Sequence, residues 1–244
     1  MAFFEIISVY QGALLSSLLA LSSFILYSLF SHSHQIRNRF IKKFGKEKTK
    51  VIWILYQRGV GIFLYGFIPS FVFFIIFSEK PSYHGFSFVN FTESVYWTLA
   101  FCFIIIPLSI LVARHPSNQK KYPQIQTNQW SKGLLFISAL SWIIYLFAYE
   151  LLLRGILFFS CLRAFGLWPA VFINILIYAF FHVHKDYKET IGSVILGFLF
   201  CMITFKTGTI WTAFMTHVIL ALSTEWASIC FNTKMKINLT RNIK

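Results

Sequence analysis

Seven apolar runs separated by short polar segments dominate this 244-residue chain and leave few folds open to it. They lie at roughly residues 8–30, 51–77, 95–113, 133–161, 168–184, 190–205 and 208–231. A helix needs about 20 apolar residues to cross the hydrocarbon layer of a bilayer. Runs of this length predict an all-α fold, a polytopic transmembrane bundle of about seven spans. Composition agrees: 57% of residues are hydrophobic and 12% charged, where a soluble domain carries about 25% charged residues. Thirty phenylalanines exceed what a core of this size can enclose, so lipid must cover much of the surface. The first run is too long for a signal-peptide core and lacks a basic segment before it, so it reads as a retained span. The fifth and sixth are short, which implies that neighbours or a water-filled cavity shield their ends.

The segments between runs carry loop chemistry. Residues 31–50 are basic, 78–94 hold Pro81 and Gly85, and 114–132 hold Pro116 and Pro123. The formal charge is +14, and its placement decides its meaning. Of the 22 Lys and Arg residues, seventeen fall on one side of a seven-span arrangement and three (Lys80, Arg163 and Lys206) on the other. Loops rich in Lys and Arg stay inside, so the N-terminus is expected outside and the C-terminus in the cytoplasm; the membrane itself is expected to be a bacterial inner membrane. A basic excess confined to short loops also argues for anionic lipid headgroups as partner rather than nucleic acid. The four cysteines lie within apolar runs at no metal-ligand spacing and read as packing residues.

Ionisable groups inside spans cost about 2.5–3.5 kcal/mol each on insertion scales, so they persist when paired, hydrated or useful. Glu150 and Arg154 sit four apart, stacked on one helix face at ion-pair distance. They are either a self-neutralising structural pair or part of a site. His182 closes the fifth run and His217 lies inside the seventh; alone, each reads as a packing histidine, and together with a buried glutamate they suggest more. Hairpin arithmetic gives depth. Glu150 and His182 each lie sixteen residues from a turn near Gly166, about 24 Å at 1.5 Å per residue. His217 lies ten residues beyond Thr207, about 15 Å in, so tilt or a deeper turn has to close the difference. On this reading the three meet in the cytoplasmic half of the membrane, with the loop 184–189 at the mouth and Glu189 available as a second carboxylate. Glu225 and Arg58 read as structural, reaching to the cytoplasmic interface. Gly192, Gly197 and Gly208 read as helix-packing or tight-turn positions.

The order of these segments resembles the CPBP family, the CAAX prenyl protease and bacteriocin-processing group of intramembrane proteases. Tyr149-Glu150-Leu-Leu-Leu-Arg154-Gly155 is similar to its first motif and Tyr178-Ala-Phe-Phe-His182 to its second. The stretch Thr207-Gly208-Thr209-Ile210-Trp211 leading into His217 is similar to the third. The resemblance covers roughly 133–226. Two positions depart from it: Tyr149 stands where the family has the first of two glutamates, and Ala221 where it has an asparagine. Lys185, Glu189, Gly192 and Ser193 fit a divergent single-glutamate branch.

The resemblance implies an intramembrane endopeptidase acting on a membrane-associated peptide or protein. Its expected site residues are Glu150, Arg154, His182, Glu189 and His217. Glu150 or Glu189 with His182 would activate water, His217 would polarise the scissile carbonyl, and Arg154 would orient Glu150. A metalloprotease variant would hold zinc on His182, His217 and Glu150. Two rival readings stand beside it: a catalytically inactive member serving as a membrane interaction or immunity protein, and a small transporter or proton relay. The expected organisation is N-terminal helices with basic loops over 1–132, the protease-like core over 133–231 and a basic cytoplasmic tail over 232–244.

Overall fold

The computed structural model describes residues 2–183 and 187–238, with side chains from residue 9 onward except that of Lys188. Among the described residues seven helices form the bundle: α1 (Ala2–Ser31), α2 (His34–Ile76), α3 (Phe91–Ala113), α4 (Lys132–Phe165), α5 (Leu167–Phe180), α6 (Tyr187–Thr207) and α7 (Trp211–Phe231). All except α5 are long and apolar enough to cross a membrane. The fold is an all-α polytopic bundle, and the chain is an integral, multi-pass membrane protein.

Local sequence explains most boundaries. Ser33 accepts a hydrogen bond from Ile36 N and starts α2; Ser131 accepts one from Leu134 N and starts α4. Each satisfies a backbone donor that a helix start leaves orphaned. Gly166 and Gly208, at φ 80° and 68°, make the turns between α4 and α5 and between α6 and α7. L-residues avoid that backbone region and glycine does not. Helix α2 begins seventeen residues before the expected span, because the basic segment, read as a loop, is helical from His34. Lys, Arg, Gln and Glu are good helix formers, and only Gly45, at φ 77°, interrupts them. The stretch before that kink folds back, setting Phe40 against Trp53 and Tyr56.

The main core joins α1, α2, α4 and α5 through residues such as Phe24, Tyr65, Leu152, Leu153, Phe158 and Tyr178. On α5 the outward face is a stripe four residues apart, Trp168, Phe172, Leu176 and Phe180, 43–65% exposed. Such a stripe is the helix face that meets lipid. A short parallel pair, β1 (Gln129–Ser131) with β2 (Lys236–Asn238), joins the segment before α4 to the chain after α7.

Two sequence readings are corrected here. Arg58 and Glu225 do not reach to the interface. Their side chains are 3% and 2% exposed and pair at 3.4 Å between α2 and α7. Polar partners from α4 make that burial tolerable, as an interfacial position would have done through water. Gly192 is not a packing position, since a Cβ there would meet nothing within 4 Å, whereas one at Gly197 would strike the Tyr178 ring at 2.9 Å.

Candidate active site

Glu150 ends the regular α-helical part of α4, and residues Leu151–Leu157 continue as a π-helix. Such wide turns are often found at functional sites. Here the wide turn is buttressed: Asn174 of α5, fully buried, donates from Nδ2 to the Leu153 carbonyl at 2.6 Å. Cys201 of α6 in turn donates to Asn174 Oδ1. Sequence reading missed Asn174, whose signal was its being the one polar side chain within an otherwise apolar α5, Tyr178 apart.

The Glu150 carboxylate is completely buried and has two charged or titratable neighbours. His217 Nδ1 lies 2.6 Å from Oε1, and Arg154 Nε lies 3.5 Å from Oε2. The expected i, i+4 ion pair is therefore present, with both side chains at 0% exposure. The Arg154 guanidinium lies over the Tyr178 ring at 4.2 Å, and its nitrogens have no hydrogen-bond partner among the described residues. Charge opposite and an aromatic face together replace the water it has lost. The His217 side chain keeps 15% of its surface exposed, so the ring is the member of the trio that solvent or substrate reaches.

The two turns differ in how they are packed. Gly166 is exposed, but Thr207, Thr209 and Ile210 are buried, and Ile210 N donates to Gly85 O of the 78–90 loop at 3.1 Å. The α6–α7 turn is tucked under that loop, and α7 runs from it to bring His217 to Glu150.

The other expected residues sit around this trio. His182, in the turn after α5, directs Nδ1 to the Tyr178 carbonyl at 2.9 Å, and its ring packs on Tyr178 at 4.7 Å. Aromatic contacts run from there through Tyr178 and Tyr149 to the His217 ring. Glu189 pairs with Lys121 at 3.2 Å and approaches Tyr122, so its charge is engaged with the 114–131 loop. Its neighbour Thr190 donates to the His182 carbonyl at 3.1 Å, which keeps the start of α6 beside the end of α5. Tyr149 is 5% exposed in a box of Tyr65, Tyr145, Tyr178 and Phe181. Residues 184–186, expected at the mouth, lie outside the described residues.

Zinc was the expected cofactor of a metalloprotease variant. Both imidazoles have Nδ1 directed to an oxygen, the arrangement that in metal sites leaves Nε2 for the ion. A third donor is not assembled: among the described residues no group of three His, Cys, Asp or Glu could hold a metal. The donors do not fit the ion, and no step below passes through one.

The sequence model of a family described as Rce1-like, type II CAAX prenyl endopeptidase Rce1-like, matches residues 129–223. This match supports the resemblance to the CPBP family that the motifs carry. The matched stretch takes in α4, α5, α6 and most of α7, and with them every residue of the site. Helices α1–α3 lie outside it, so Arg58 comes from beyond the CPBP match, and Glu225 falls two residues past its end. No curated protein and no solved structure gives a significant match.

Proposed function

We propose that the chain is an intramembrane endopeptidase that hydrolyses a peptide bond of a membrane-associated peptide or protein. Its base is His217, oriented by Glu150. One observation supports this above the others: the 2.6 Å contact from His217 Nδ1 to a fully buried carboxylate. A neutral imidazole that donates from Nδ1 carries its lone pair on Nε2. That nitrogen takes a proton from water while the hydroxide adds to the scissile carbonyl carbon. The tetrahedral oxyanion then collapses, the C–N bond breaks, and the proton passes from Nε2 to the departing amine. Glu150 fixes the tautomer and stabilises the imidazolium between these steps. Arg154 balances the carboxylate in the apolar interior. His182 is the candidate donor to the oxyanion, and Glu189 tethers the 114–131 loop at the site's edge. This exchanges the roles the sequence suggested for the two histidines, because Glu150 is hydrogen-bonded to His217.

The functional unit runs from 133 to 231, in a bacterial inner membrane; the charge bias supports an N-terminus outside. The test is cleavage of membrane-tethered peptides by the protein in liposomes. His217→Ala and Glu150→Gln should each lower turnover at least about 100-fold, the scale of a lost general base, with insertion intact. His182→Ala should also lower it. Full turnover in both His217→Ala and Glu150→Gln would defeat the proposal. One observation favours a second reading, a non-catalytic membrane interaction protein: the aromatic box filled by Tyr149, where the family resemblance places a glutamate.

A further inference from the structure

The buried network around Arg58 lies on the same two helices that bring Glu150 and His217 together. Arg58 NH1 donates to Ser141 Oγ at 2.6 Å and to the Ser138 carbonyl at 2.9 Å. Arg58 NH2 approaches Gln124 Oε1 at 3.2 Å and Glu225 Oε2 at 3.4 Å. The guanidinium lies over the Trp142 ring at 4.1 Å. Glu225 receives a hydrogen bond from Ser138 Oγ at 2.6 Å on one oxygen, and on the other from Trp142 Nε1. Three helices and the 114–131 loop thus converge on one charge pair.

Its register is the telling feature. Trp142 precedes Glu150 by eight residues on α4, and Glu225 follows His217 by eight on α7. The helices run antiparallel, so the two polar contacts are rungs spaced about 12 Å apart along both axes. Between them the packing of α7 is chiefly against α3, and the polar ties to α4 are these two rungs. Every residue from His217 to Leu220 and on to Thr224 is only half-buried, and burial resumes at Glu225. Above His217, Thr212 donates to the Ser94 carbonyl of α3, and Phe147 of α4 packs on Trp211 and Phe214 without a hydrogen bond. A slip of α7 by one residue along α4 is about 1.5 Å, which at right angles to the 2.6 Å contact lengthens it to about 3.0 Å and turns it by about 30°, weakening the hydrogen bond.

We infer that Arg58 and Glu225 form a positioning clamp that fixes the register of α7 on α4 and so holds His217 in hydrogen-bonding contact with Glu150. Neither residue touches the reacting groups. The pair acts along the helix, and it brings α2, outside the matched part of the chain, into control of the site. The inference rests on the hydrolase reading only for its kinetic arm.

The experiment uses the full chain in lipid nanodiscs with ¹⁵N-labelled histidine. The reporter is the His217 ring, whose Nδ1 proton in contact with a carboxylate gives a downfield NMR signal. Glu225→Gln keeps the shape and removes the charge. Ser138→Ala removes a single hydrogen bond to Glu225 and serves where the first variant folds poorly. The clamp predicts that either variant broadens or loses the downfield proton while the protein remains folded. It also predicts that kcat falls by about tenfold with KM within about twofold, the signature of an interaction made at the chemical step. A lowered melting temperature with the His217 signal unchanged would make the network merely structural and overturn the inference. A wild-type protein inactive on every peptide would defeat the hydrolase reading alone, since the NMR signal would still decide the clamp.

Discussion

Methionine in place of Arg154 or Glu150 tests whether the site's ion pair is held together by charge in a medium without water. The two groups approach to 3.5 Å and neither has any exposed surface. At an effective dielectric near 20, unit charges at that distance attract by about 5 kcal/mol, and breaking a buried pair typically costs about 3–5 kcal/mol. The two single substitutions should differ. Glu150→Met strands a guanidinium that cannot lose its proton, and its nitrogens have no hydrogen-bond partner among the described residues; the expected cost is about 4–5 kcal/mol. Arg154→Met strands a carboxyl that neutralises itself by taking up a proton. It also forfeits the contact with the Tyr178 ring, for a cost of about 3–4 kcal/mol. The double variant removes both charges and should lie within about 2 kcal/mol of the wild type, that residue being the lost contact with Tyr178. Reversible unfolding in mixed micelles with increasing SDS measures all four proteins. Additive losses, with the double variant as unstable as the two singles combined, would refute the reasoning, because independent sites add and coupled ones do not.

Three further outcomes follow from single contacts. Gly197→Ala drives a methyl into the Tyr178 ring beneath Arg154 and should destabilise by about 1–3 kcal/mol in the same SDS titration; an unchanged midpoint would mean that the ring has room to move. Asn174→Ala removes one of two hydrogen bonds on the Leu153 carbonyl, which Phe158 N also reaches, and should cost about 0.5–1.5 kcal/mol, with amide exchange quickened over 151–157 and little changed in α3. His84, in the 78–90 loop, is completely buried beside Glu79 and Arg163; burial above all, then Arg163, pushes its imidazolium down against the pull of Glu79. The unfolded chain binds that proton more readily, so stability is full above about pH 6.5 and falls as the pH drops below it. Melting curves from pH 8 to 5 should show that slope, and His84→Asn should flatten it.

The fold was legible because apolar run length is nearly a direct reading of bilayer thickness. The turns at Gly166 and Gly208 and the meeting of Glu150 with Arg154 followed from local spacing. The approach of His217 followed only in part: the turn from which α7 runs lies under the 78–90 loop, a contact between segments over a hundred residues apart. Arg58 with Glu225 was illegible for the same reason at greater range. Each sits near the end of an apolar run, where snorkelling is the cheapest local explanation, and only packing reveals the partner 167 residues away. The helical start of α2 was hidden because its signal is propensity without an apolar face. The engagement of Glu189 by Lys121 depends on how the 114–131 loop docks, which spacing alone does not encode.

Helix α5 also bears on the lipid. Its fourteen residues measure about 21 Å, some 9 Å short of an average hydrocarbon layer, and its stripe from Trp168 to Phe180 faces outward. The acyl chains against that stripe must compress, at a fraction of a kcal/mol per ångström of mismatch. Short-chain lipids relieve this compression and long-chain lipids aggravate it. The position of His182, two residues past the end of α5, should therefore respond to acyl-chain length, through the surrounding membrane and without any ligand.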